Sequence, residues 1–298
     1  MEQNLSLYKV FHTVAGYGNI SKASKALYIS QPALSKSISK LEESLGVKLF
    51  RRGPRGVMLT EEGKVLYEYT TTAFSSLDQA EEKLGEMQGK TSGSLRLGVS
   101  TTLCKYILLP FLQQFLWKYP GIRITIHCQS TFQTIRLLER NELDIGLIGR
   151  PDQLGNIDFT QVAVITDAFV STDSYLDRLP RVSRPEEIFQ SANVMLLDRE
   201  NISRVYVDRY LASEHLEMNE ILEISNMDLL IEFAKLGLGV ACVIRNFVEK
   251  DLETGVLTEV PLPVPIPPRE IGFARNRNAV WSDAAKTFVD FYENREKQ

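Results

Sequence analysis

Two short helices with almost no chain between them occupy residues 21–45, and they constrain the fold more than any other feature. Ser30 can cap the second helix, and Pro32 fits its first turn, where a missing amide hydrogen costs nothing. One face of this helix is apolar at spacings of four, three and four residues: Leu34, Ile38, Leu41 and Leu45. The pattern predicts that these side chains pack inward and leave a polar outer face.

The outer face has the composition of a surface that reads DNA. In a helix-turn-helix the second helix enters the major groove, where its first residues meet base edges and its amides meet phosphate. Glutamine can pair with adenine, serine can bond to several bases, proline can touch a thymine methyl group, and lysine can neutralise phosphates. The candidate DNA contacts are Gln31, Pro32, Ser35, Lys36, Ser39 and Lys40, together with Ser21, which can cap the preceding helix. A three-helix bundle with a polar exterior would show the same periodicity and stays open.

The distribution of charge favours a polyanionic partner for this part of the chain. Residues 1–60 hold nine Lys and Arg against three acids, a net charge of +6. The other 238 residues hold 25 basic and 35 acidic side chains, a net charge of -10. A basic module attached to an acidic body is typical of nucleic-acid binding, although a charge run can also be only a solvated surface.

Two β-prone pieces, 47–50 and 57–60, follow the helices and flank a basic turn. This composition predicts a wing, a hairpin whose arginines lie along phosphates or enter a minor groove. The candidates are Arg51, Arg52 and Arg55. A solvated basic turn is the alternative.

The segment from Leu7 to Gly63 resembles the winged helix-turn-helix of LysR-type transcriptional regulators. The resemblance rests on Gln-Pro-Ala-Leu-Ser at 31–35, Leu-Gly-Val-x-Leu-Phe-x-Arg at 45–52 and Leu-Thr-x-x-Gly at 59–63, and it continues over essentially all 298 residues. Ser24 departs from the family, which usually has a second Ala there. The resemblance implies a sequence-specific DNA-binding regulator, without catalysis, whose activity is modulated by a small-molecule effector.

Residues 61–88 are predicted to form one long helix. Seven residues at alternating spacings of four and three form a stripe along three heptads of it, and only Thr70 among them is polar: Leu66, Thr70, Ala73, Leu77, Ala80, Leu84 and Met87. The stripe favours a paired coiled coil, and the alternative is a helix lying on its own globular domain. In the family this helix dimerises the protein, which implies a dimer or tetramer on an inverted-repeat DNA site.

From Gly93 onward strands alternate with amphipathic helices, which predicts an α/β fold with a mostly parallel sheet. The resemblance implies a regulatory domain over 91–298, similar to periplasmic solute-binding proteins. Its subdomain I is expected at about 91–162 and 267–298, and its subdomain II at about 163–266. Residues 1–60 are then the DNA-binding domain, and 61–90 the linker helix and hinge.

Hydroxyl-rich residues follow three predicted strands at the points where helices begin. Each group can be a plain helix cap, but groups that converge at the carboxyl ends of strands would line one crevice. In the family the matching positions line the effector site. The candidate effector contacts are therefore Ser100, Thr101, Thr102, Gln129, Ser130, Thr131, Ser203, Phe169 and Asn226.

The same helix starts indicate the chemistry of the effector. Free amides and a partial positive charge at helix amino termini favour a small anion, such as a carboxylate, and Arg204 could contribute. A neutral or aromatic ligand held by Phe169, Ile148 and other apolar side chains is the alternative.

The contrasting function classes find little support in the sequence. It contains no GxSxG, GxxxxGK or GxGxxG motif, and its three histidines show no ligand spacing, so no catalytic residue, metal or cofactor is expected. A transported-solute receptor would not explain the basic amino-terminal module. The start of the chain lacks the features of a signal peptide and no long apolar run occurs, which predicts a cytoplasmic protein without a membrane partner. RNA polymerase is a further expected partner of a regulator that binds DNA.

The three cysteines, Cys104, Cys128 and Cys242, are not arranged like metal ligands. They are predicted to be buried and inert, as cysteines often are in a reducing compartment. A redox switch would need an exposed thiol with a nearby partner, and the sequence contains no CxxC or close pair.

Overall fold

The computed structural model describes residues 4–53, 56–87, 93–180 and 187–294. Arg55, one of the predicted wing contacts, lies outside the described residues. The chain divides into two compact units, of which the first is amino-terminal and the second contains most of the residues after 93. None of the helices within the described ranges has both the length and the apolar character needed to cross a membrane.

Three short helices open the first unit: α1 (Leu5–Tyr17), α2 (Ile20–Ala26) and α3 (Gln31–Leu45). The cap of α2 is Asn19, whose side chain accepts a hydrogen bond from the Lys22 amide. The prediction that Ser21 caps this helix is therefore wrong. Asn19 precedes it in extended backbone and caps equally well, so the helix starts earlier and Ser21 lies exposed in the first turn.

The predicted caps and core of α3 are confirmed. Ser30 accepts a hydrogen bond from the Ala33 amide, and Pro32 lies in the first turn. Leu34 and Leu41 are fully buried, where they join two clusters that also contain Val14 and Phe11 of α1. The last predicted member of the stripe, Leu45, is 39% exposed at the helix end.

An antiparallel hairpin of β1 (Phe50–Gly53) and β2 (Gly56–Leu59) follows. The predicted strand at 47–50 begins only at its last residue, because the preceding residues are held by Glu42 of α3. The buried Glu42 carboxylate accepts hydrogen bonds from Lys48 Nζ at 2.6 Å and from the Leu49 and Phe50 amides at 2.9 and 3.3 Å. This carboxylate ties the recognition helix to the hairpin.

One long helix, α4 (Glu61–Met87), ends the first unit, and its predicted stripe divides into two parts. Leu66 packs on the α1 cluster, and Thr70 Oγ1 lies 3.4 Å from Nδ1 of His12, whose ring stacks on Tyr67. Further along, the stripe is exposed at Ala73, Leu77, Ala80 and Leu84, while the side chain of Met87 lies outside the described residues. The amino-terminal part of α4 thus lies on its own domain, and the described stripe residues beyond Thr70 are exposed.

The second unit contains two five-stranded sheets. Sheet I has the order β4-β3-β5-β12-β6 and consists of β3 (Gly93–Val99), β4 (Ile122–Cys128), β5 (Ile145–Gly149), β6 (Ile157–Ile165) and β12 (Arg269–Asn276). Sheet II has the order β11-β7-β10-β8-β9 and consists of β7 (Asp167–Ser171), β8 (Val194–Leu197), β9 (Glu220–Ile224), β10 (Val240–Ile244) and β11 (Thr258–Glu259).

Both sheets are mixed, and not mostly parallel as the sequence predicted. The parallel sets are β4-β3-β5 and β10-β8-β9, whereas β12 runs antiparallel to β5 and β6, and β7 runs antiparallel to β10. The antiparallel strands β7 and β12 are the first strands after each crossing of the chain between the sheets. They arrive directly from the other sheet, without the crossover helix that parallel pairing requires.

Helices cover the sheets, and most follow a strand. They are α5 (Thr101–Leu103), α6 (Leu109–Lys118), α7 (Thr131–Glu139), α8 (Asp173–Leu176), α9 (Ile188–Ser191), α10 (Ile202–Ser213), α11 (Met227–Lys235), α12 (Glu249–Glu253) and α13 (Asp283–Glu293). A π-helical turn, Cys104–Leu108, joins α5 to α6, so that helix runs from Thr101 to Lys118. Phe111 of α6 packs edge-on against Phe288 of α13 in the largest core cluster.

We predict that Glu42→Gln destabilises the first unit by about 1–3 kcal/mol, because an amide cannot accept all the donors that converge on the carboxylate. Burial by itself would raise the pKa of Glu42, but the bonds from Lys48, Leu49 and Phe50 outweigh it and hold the pKa below the ordinary value. Its contribution is therefore complete above about pH 4.5, the ordinary pKa, and is lost as pH falls through the lowered pKa.

Hydrogen exchange of residues 48–59 in the full chain, measured from pH 7 down to about pH 2.5 so that the lowered pKa of Glu42 is crossed, tests this prediction. Glu43→Gln is the matched control, because Glu43 is exposed next to Glu42. Equal protection of the hairpin in both variants at pH 7 would contradict the role given to Glu42.

Candidate DNA interface and effector cavity

The residues predicted to meet DNA lie together on one exposed face of α3. The face is opposite to the buried Leu34 and Leu41, and consists of Gln31, Pro32, Ser35, Lys36, Ser39 and Lys40. Ser21 is exposed at the start of α2. The arrangement leaves the whole face accessible to a groove, and the role of each residue stays a prediction.

The basic wing is described in part. Arg51 is exposed on β1, where it pairs in register with Met58. Arg52 lies on the same strand, but its side chain is outside the described residues, as Arg55 is entirely. Tyr28, in the turn between α2 and α3, is 96% exposed and has a left-handed backbone with φ of 54°. The sequence did not single out this aromatic hydroxyl. Its position in the short turn before α3 was the only sign that it lies near the predicted DNA-reading face.

A cavity of about 410 Å³ lies in the second unit, at the carboxyl ends of β3, β4, β8 and β9. The helices that follow these strands all begin at it, because each strand feeds a helix at the same edge of its sheet. Eight of the nine predicted effector contacts line the cavity: Ser100, Thr101, Thr102, Gln129, Ser130, Thr131, Ser203 and Asn226. The predicted convergence of the hydroxyl-rich helix starts is therefore confirmed.

Four of the lining residues cap helices, which was the plain alternative for each group. Ser100 accepts a hydrogen bond from the Leu103 amide at 3.2 Å, and Ser130 accepts one from the Gln133 amide at 3.3 Å. The side chains of Asn201 and Asn226 accept bonds at 3.0 and 3.1 Å at the starts of α10 and α11. These side chains complete their helices and bring the helix starts to the cavity.

Two further hydroxyls are not used by the caps. Thr102 and Thr131 are each only 6% exposed, line the cavity, and form no side-chain hydrogen bond with any described residue. Neither oxygen is sealed from the cavity, because no side-chain oxygen in the described part of the chain is both inaccessible and without a partner. Both hydroxyls therefore retain an unused hydrogen-bonding capacity among the described residues.

The cavity contains one guanidinium, that of Arg269 at the start of β12. Its Nε and Nη2 donate to Asp167 at 2.6 and 3.0 Å, and Nη2 also donates to Ser203 Oγ at 2.8 Å. Nη1 has no hydrogen-bond partner among the described residues, and a Cβ placed on Gly149, in the cavity wall, would lie 3.5 Å from it. One nitrogen of this buried cation thus lies beside the cavity wall without a described hydrogen-bond partner.

Sequence reasoning missed Arg269 and considered Arg204 in its place. Arg204 is buried, does not line the cavity, and donates to Asp208 at 2.6 Å and to the Leu197 carbonyl at 2.9 Å. The signal for Arg269 was weak: a lone arginine after a proline-rich stretch, at the edge of an apolar segment. Only the antiparallel insertion of β12 brings it to the cavity.

Two acids also line the cavity, Asp198 and Glu200. Asp198 is half-buried, and its Oδ1 accepts a hydrogen bond from the Glu200 amide at 3.1 Å. It forms no ion pair with a residue in the part of the chain that the structure describes. The cavity therefore combines several donors with two carboxylates, of which that of Asp198 is the more buried.

Phe169 does not line the cavity. It is fully buried in β7 and packs edge-on against Phe189, with ring centroids 4.8 Å apart. Side chains alternate along the strand, so Ala168 and Val170 enter the largest core cluster while Phe169 faces a second cluster on the other side of the sheet. Ile148, expected to help bind an apolar ligand, is likewise buried away from the cavity.

Beside the cavity, residues that follow β3 of sheet I contact residues that follow β9 of sheet II. Asn226 Nδ2 donates to Thr101 Oγ1 at 3.3 Å, and Lys105 Nζ lies 2.8 Å from Asp228.

The exposure of the cysteines differs from the prediction that all three are buried, since Cys242 alone is buried, whereas Cys104 is half-buried and Cys128 is exposed. The wall of the cavity thus includes an accessible thiol, that of Cys128.

Family models account for nearly the whole chain. The "Bacterial regulatory helix-turn-helix protein, lysR family" matches residues 5–64, and the "LysR substrate binding domain" matches residues 88–296. The chain belongs to the LysR family of transcriptional regulators. This LysR-type regulator is a DNA-binding protein with a small-molecule effector domain, and the family is not one of enzymes.

Two relatives match this chain over nearly their whole length. The LysR-type regulator is 27% identical over 291 residues to a "Probable RuBisCO transcriptional regulator" of Cyanidioschyzon merolae, with 95% of each chain covered. It is 28% identical over 292 residues to the "Uncharacterized HTH-type transcriptional regulator YeiE" of Escherichia coli, covering 98% of this chain and 97% of that protein.

Two solved structures share the fold. A full-length OxyR variant from Pseudomonas aeruginosa has a TM-score of 0.73 at 20% identity, over 98% of this chain and 95% of that one. Full-length CbnR complexed with its target DNA has a TM-score of 0.67 at 16% identity, over 98% of this chain and 99% of that one.

For the DNA interface we predict that Gln31 discriminates between sequences while Lys36 and Arg51 act through charge. Gln31→Ala should cost about 1–3 kcal/mol at the specific site and little on random DNA. Lys36→Ala and Arg51→Ala should weaken binding to both, and each should reduce the slope of log affinity against log salt by about one unit.

Fluorescence anisotropy on a DNA site selected from a random pool, with a scrambled duplex alongside, provides the measurement. Glu43→Ala is the control on the same helix, away from the proposed reading face. The assignment of roles fails if Gln31→Ala and Arg51→Ala weaken specific and scrambled DNA by the same factor.

Proposed function

We propose that this regulator responds to a small anion, namely a carboxylate that also carries a hydrogen-bond donor. The observation that carries the proposal is the Nη1 group of Arg269, which has no described partner and lies 3.5 Å from a Cβ placed on Gly149 in the cavity wall. The rest of the guanidinium is fixed by Asp167 and Ser203. A fixed donor with a positive charge binds a carboxylate without the cost of ordering a flexible side chain.

The threonines supply further donors for the same group. Thr102 and Thr131 lie at the starts of two helices that begin at the cavity, so their hydroxyls are close to unpaired amides. Helix amino termini carry a partial positive charge and bind carboxylate, sulfate and phosphate readily. Several such termini at one cavity give an electrostatic preference for a negative ligand.

The acidic side chains in the cavity wall, Asp198 and Glu200, restrict the kind of anion that would bind. An anion that fills the cavity approaches Asp198, and two negative groups in partial burial repel each other. A hydroxyl or ammonium group on the ligand would instead donate to Asp198. Small hydroxy acids and amino acids therefore fit better than simple carboxylates or inorganic sulfate.

The volume of the cavity and its apolar side chains also help to choose between a small acid and a neutral or aromatic ligand. About 410 Å³ is within the usual range for small-molecule sites. The competing neutral or aromatic ligand was expected to pack on Phe169 and Ile148, and both are buried elsewhere. The apolar side chains that do line the cavity, such as Leu197 and Met227, can contact the carbon skeleton of an acid.

The ligand would act by favouring one arrangement of the two sheets over another. An effector with equal affinity for both arrangements shifts nothing, however tightly it binds. Thr101 and Asn226, which contact each other across the cavity, would need to adapt to a bound ligand. The anion thus competes with a contact that spans the two halves of the regulatory domain.

We further propose the assembly in which the regulator works. The DNA-binding domain is residues 1–60, the linker helix and hinge are 61–90, and the regulatory domain is 91–298, with subdomains divided near 162 and 267. Two copies pair through α4, because its exposed stripe needs a partner, and they bind an inverted-repeat site in the cytoplasm as a dimer or tetramer. RNA polymerase is the natural further partner of a DNA-bound regulator.

For the effector we predict that Thr131→Val and Arg269→Lys abolish the response to small hydroxy or amino acids while DNA binding persists. Valine keeps the shape of threonine but removes the oxygen. Lysine keeps the positive charge beside Asp167 but lacks the forked donors of arginine. We favour Thr131 over Thr101 for this test, because Thr101 already accepts a bond from Asn226.

Thermal shift against lactate, malate, alanine, acetate, sulfate and lactamide measures the response. Thr125→Val is the control, since Thr125 is exposed on β4 and does not line the cavity. Stabilisation by lactamide alone, with Thr131→Val responding like the parent, would contradict an anionic effector.

For the assembly we predict that Leu77→Asp breaks the dimer and with it specific DNA binding, because an unpaired charge in a buried seam is costly. Val65→Asp makes the same change on the same helix, off the stripe, at a residue that is 56% exposed compared with 45% for Leu77. Sedimentation velocity should show monomers for Leu77→Asp and parental assembly for Val65→Asp. A dimeric Leu77→Asp protein would show that α4 packs elsewhere.

A further inference from the structure

Two cysteines that are distant in sequence come together beside the effector cavity. Cys128 is the last residue of β4 and pairs in register with Val99 at the end of β3. One residue later the chain turns into the helix, and the Cys104 amide donates to the Ser100 carbonyl at 2.8 Å. Cys104 is thus one turn beyond the end of β3, the strand that pairs with the end of β4, and its thiol lies near enough to the Cys128 thiol to interact with it.

The two thiols have unequal surroundings. Cys128 is exposed and lines the cavity, so a small solute in solution reaches it directly. Cys104 is half-buried, and its burial, reinforced by the neighbouring Cys128 thiol, raises the pKa of Cys104. An accessible thiol that reacts first, next to a protected thiol that reacts second, is the arrangement that favours disulfide formation over deeper oxidation.

The backbone at Cys104 is also unusual. Cys104 is the first residue of the π-helical turn that joins α5 to α6, and such turns occur mostly as single insertions at functional sites. The turn changes the direction of the side chains that follow Thr102. Cys242 has none of these features, because it is buried in β10 and its burial raises its pKa well above the ordinary value.

We propose that Cys104 and Cys128 form a reversible disulfide, which makes the wall of the effector cavity a site of oxidative modification. The oxidant is a peroxide. The Cys128 sulfur, after loss of its proton, attacks one peroxide oxygen and breaks the O–O bond, which gives a sulfenic acid and releases water or an alcohol. The Cys104 sulfur then displaces the sulfenic hydroxyl, which leaves as water with the Cys104 proton. Two thiols lose two electrons and two protons, and the peroxide gains them.

The disulfide would join the helix start that carries Thr102 to the strand end that precedes Thr131. A sulfur–sulfur bond is about 2.05 Å long, shorter than any contact between two unbonded thiols, so these two parts of the wall would move together. Oxidation would thus alter the cavity from within one subdomain, whatever molecule the cavity binds. The proposal therefore stands independently of the proposed effector.

Peptide mapping after treatment of the full chain with hydrogen peroxide tests the proposal. Trypsin releases Cys104 in peptide 97–105 and Cys128 in peptide 124–136. We expect these peptides to be linked, with the loss of two hydrogens, and to be separated again by dithiothreitol. The linkage should persist in Cys242→Ser and disappear in Cys104→Ala and Cys128→Ser, with circular dichroism as the check on folding.

The parent protein alone can refute the proposal, so the test does not depend on how the variants fold. The proposal is overturned if parental Cys128 accumulates as a sulfinic acid without the linked peptide, or if it pairs only with a cysteine of a second chain. It is equally overturned if the link forms but dithiothreitol does not reverse it.

Discussion

The ion pair between Arg269 and Asp167 is the interaction on which the regulatory domain depends. Arg269 opens β12 in sheet I, and Asp167 opens β7 in sheet II, so the pair joins the two strands that follow the crossings between the sheets. Its side chains are 9% and 1% exposed. Removal of one partner from such a pair typically costs about 3–5 kcal/mol, because the other charge stays buried and uncompensated.

The same pair connects architecture to ligand chemistry. Asp167 accepts bonds from two nitrogens of the guanidinium, Ser203 shares one of them, and the third nitrogen has no described hydrogen-bond partner. The cation is thus rigid, partly neutralised and still able to donate. The proposed anion would contact both sheets at once, since Ser203 lies in α10 after a strand of sheet II while Arg269 belongs to sheet I. That geometry relates binding to the relative position of the sheets.

In the first unit a single buried carboxylate, that of Glu42, also joins two elements. The Glu42 carboxylate satisfies the amides at the start of the hairpin and so fixes the wing to the recognition helix. The stripe on α4 is then divided by packing: Thr70 faces His12, while Leu77 and Leu84 remain exposed at 45% and 60%. The described stripe residues beyond Thr70 are thus exposed, and in the proposed assembly they would pack against a second copy.

The sequence by itself determined the recognition helix, the caps at Ser30 and Ser100, and the meeting of helix starts at the ends of strands, because these follow from local periodicity and hydrogen bonding. It also determined the family, through motifs confined to short segments. Only the tertiary structure decided that β7 and β12 run antiparallel, that Arg269 and not Arg204 reaches the cavity, and that Phe169 faces away from it. Those outcomes, like the meeting of Cys104 with Cys128, depend on pairings between residues far apart along the chain, which no local pattern encodes.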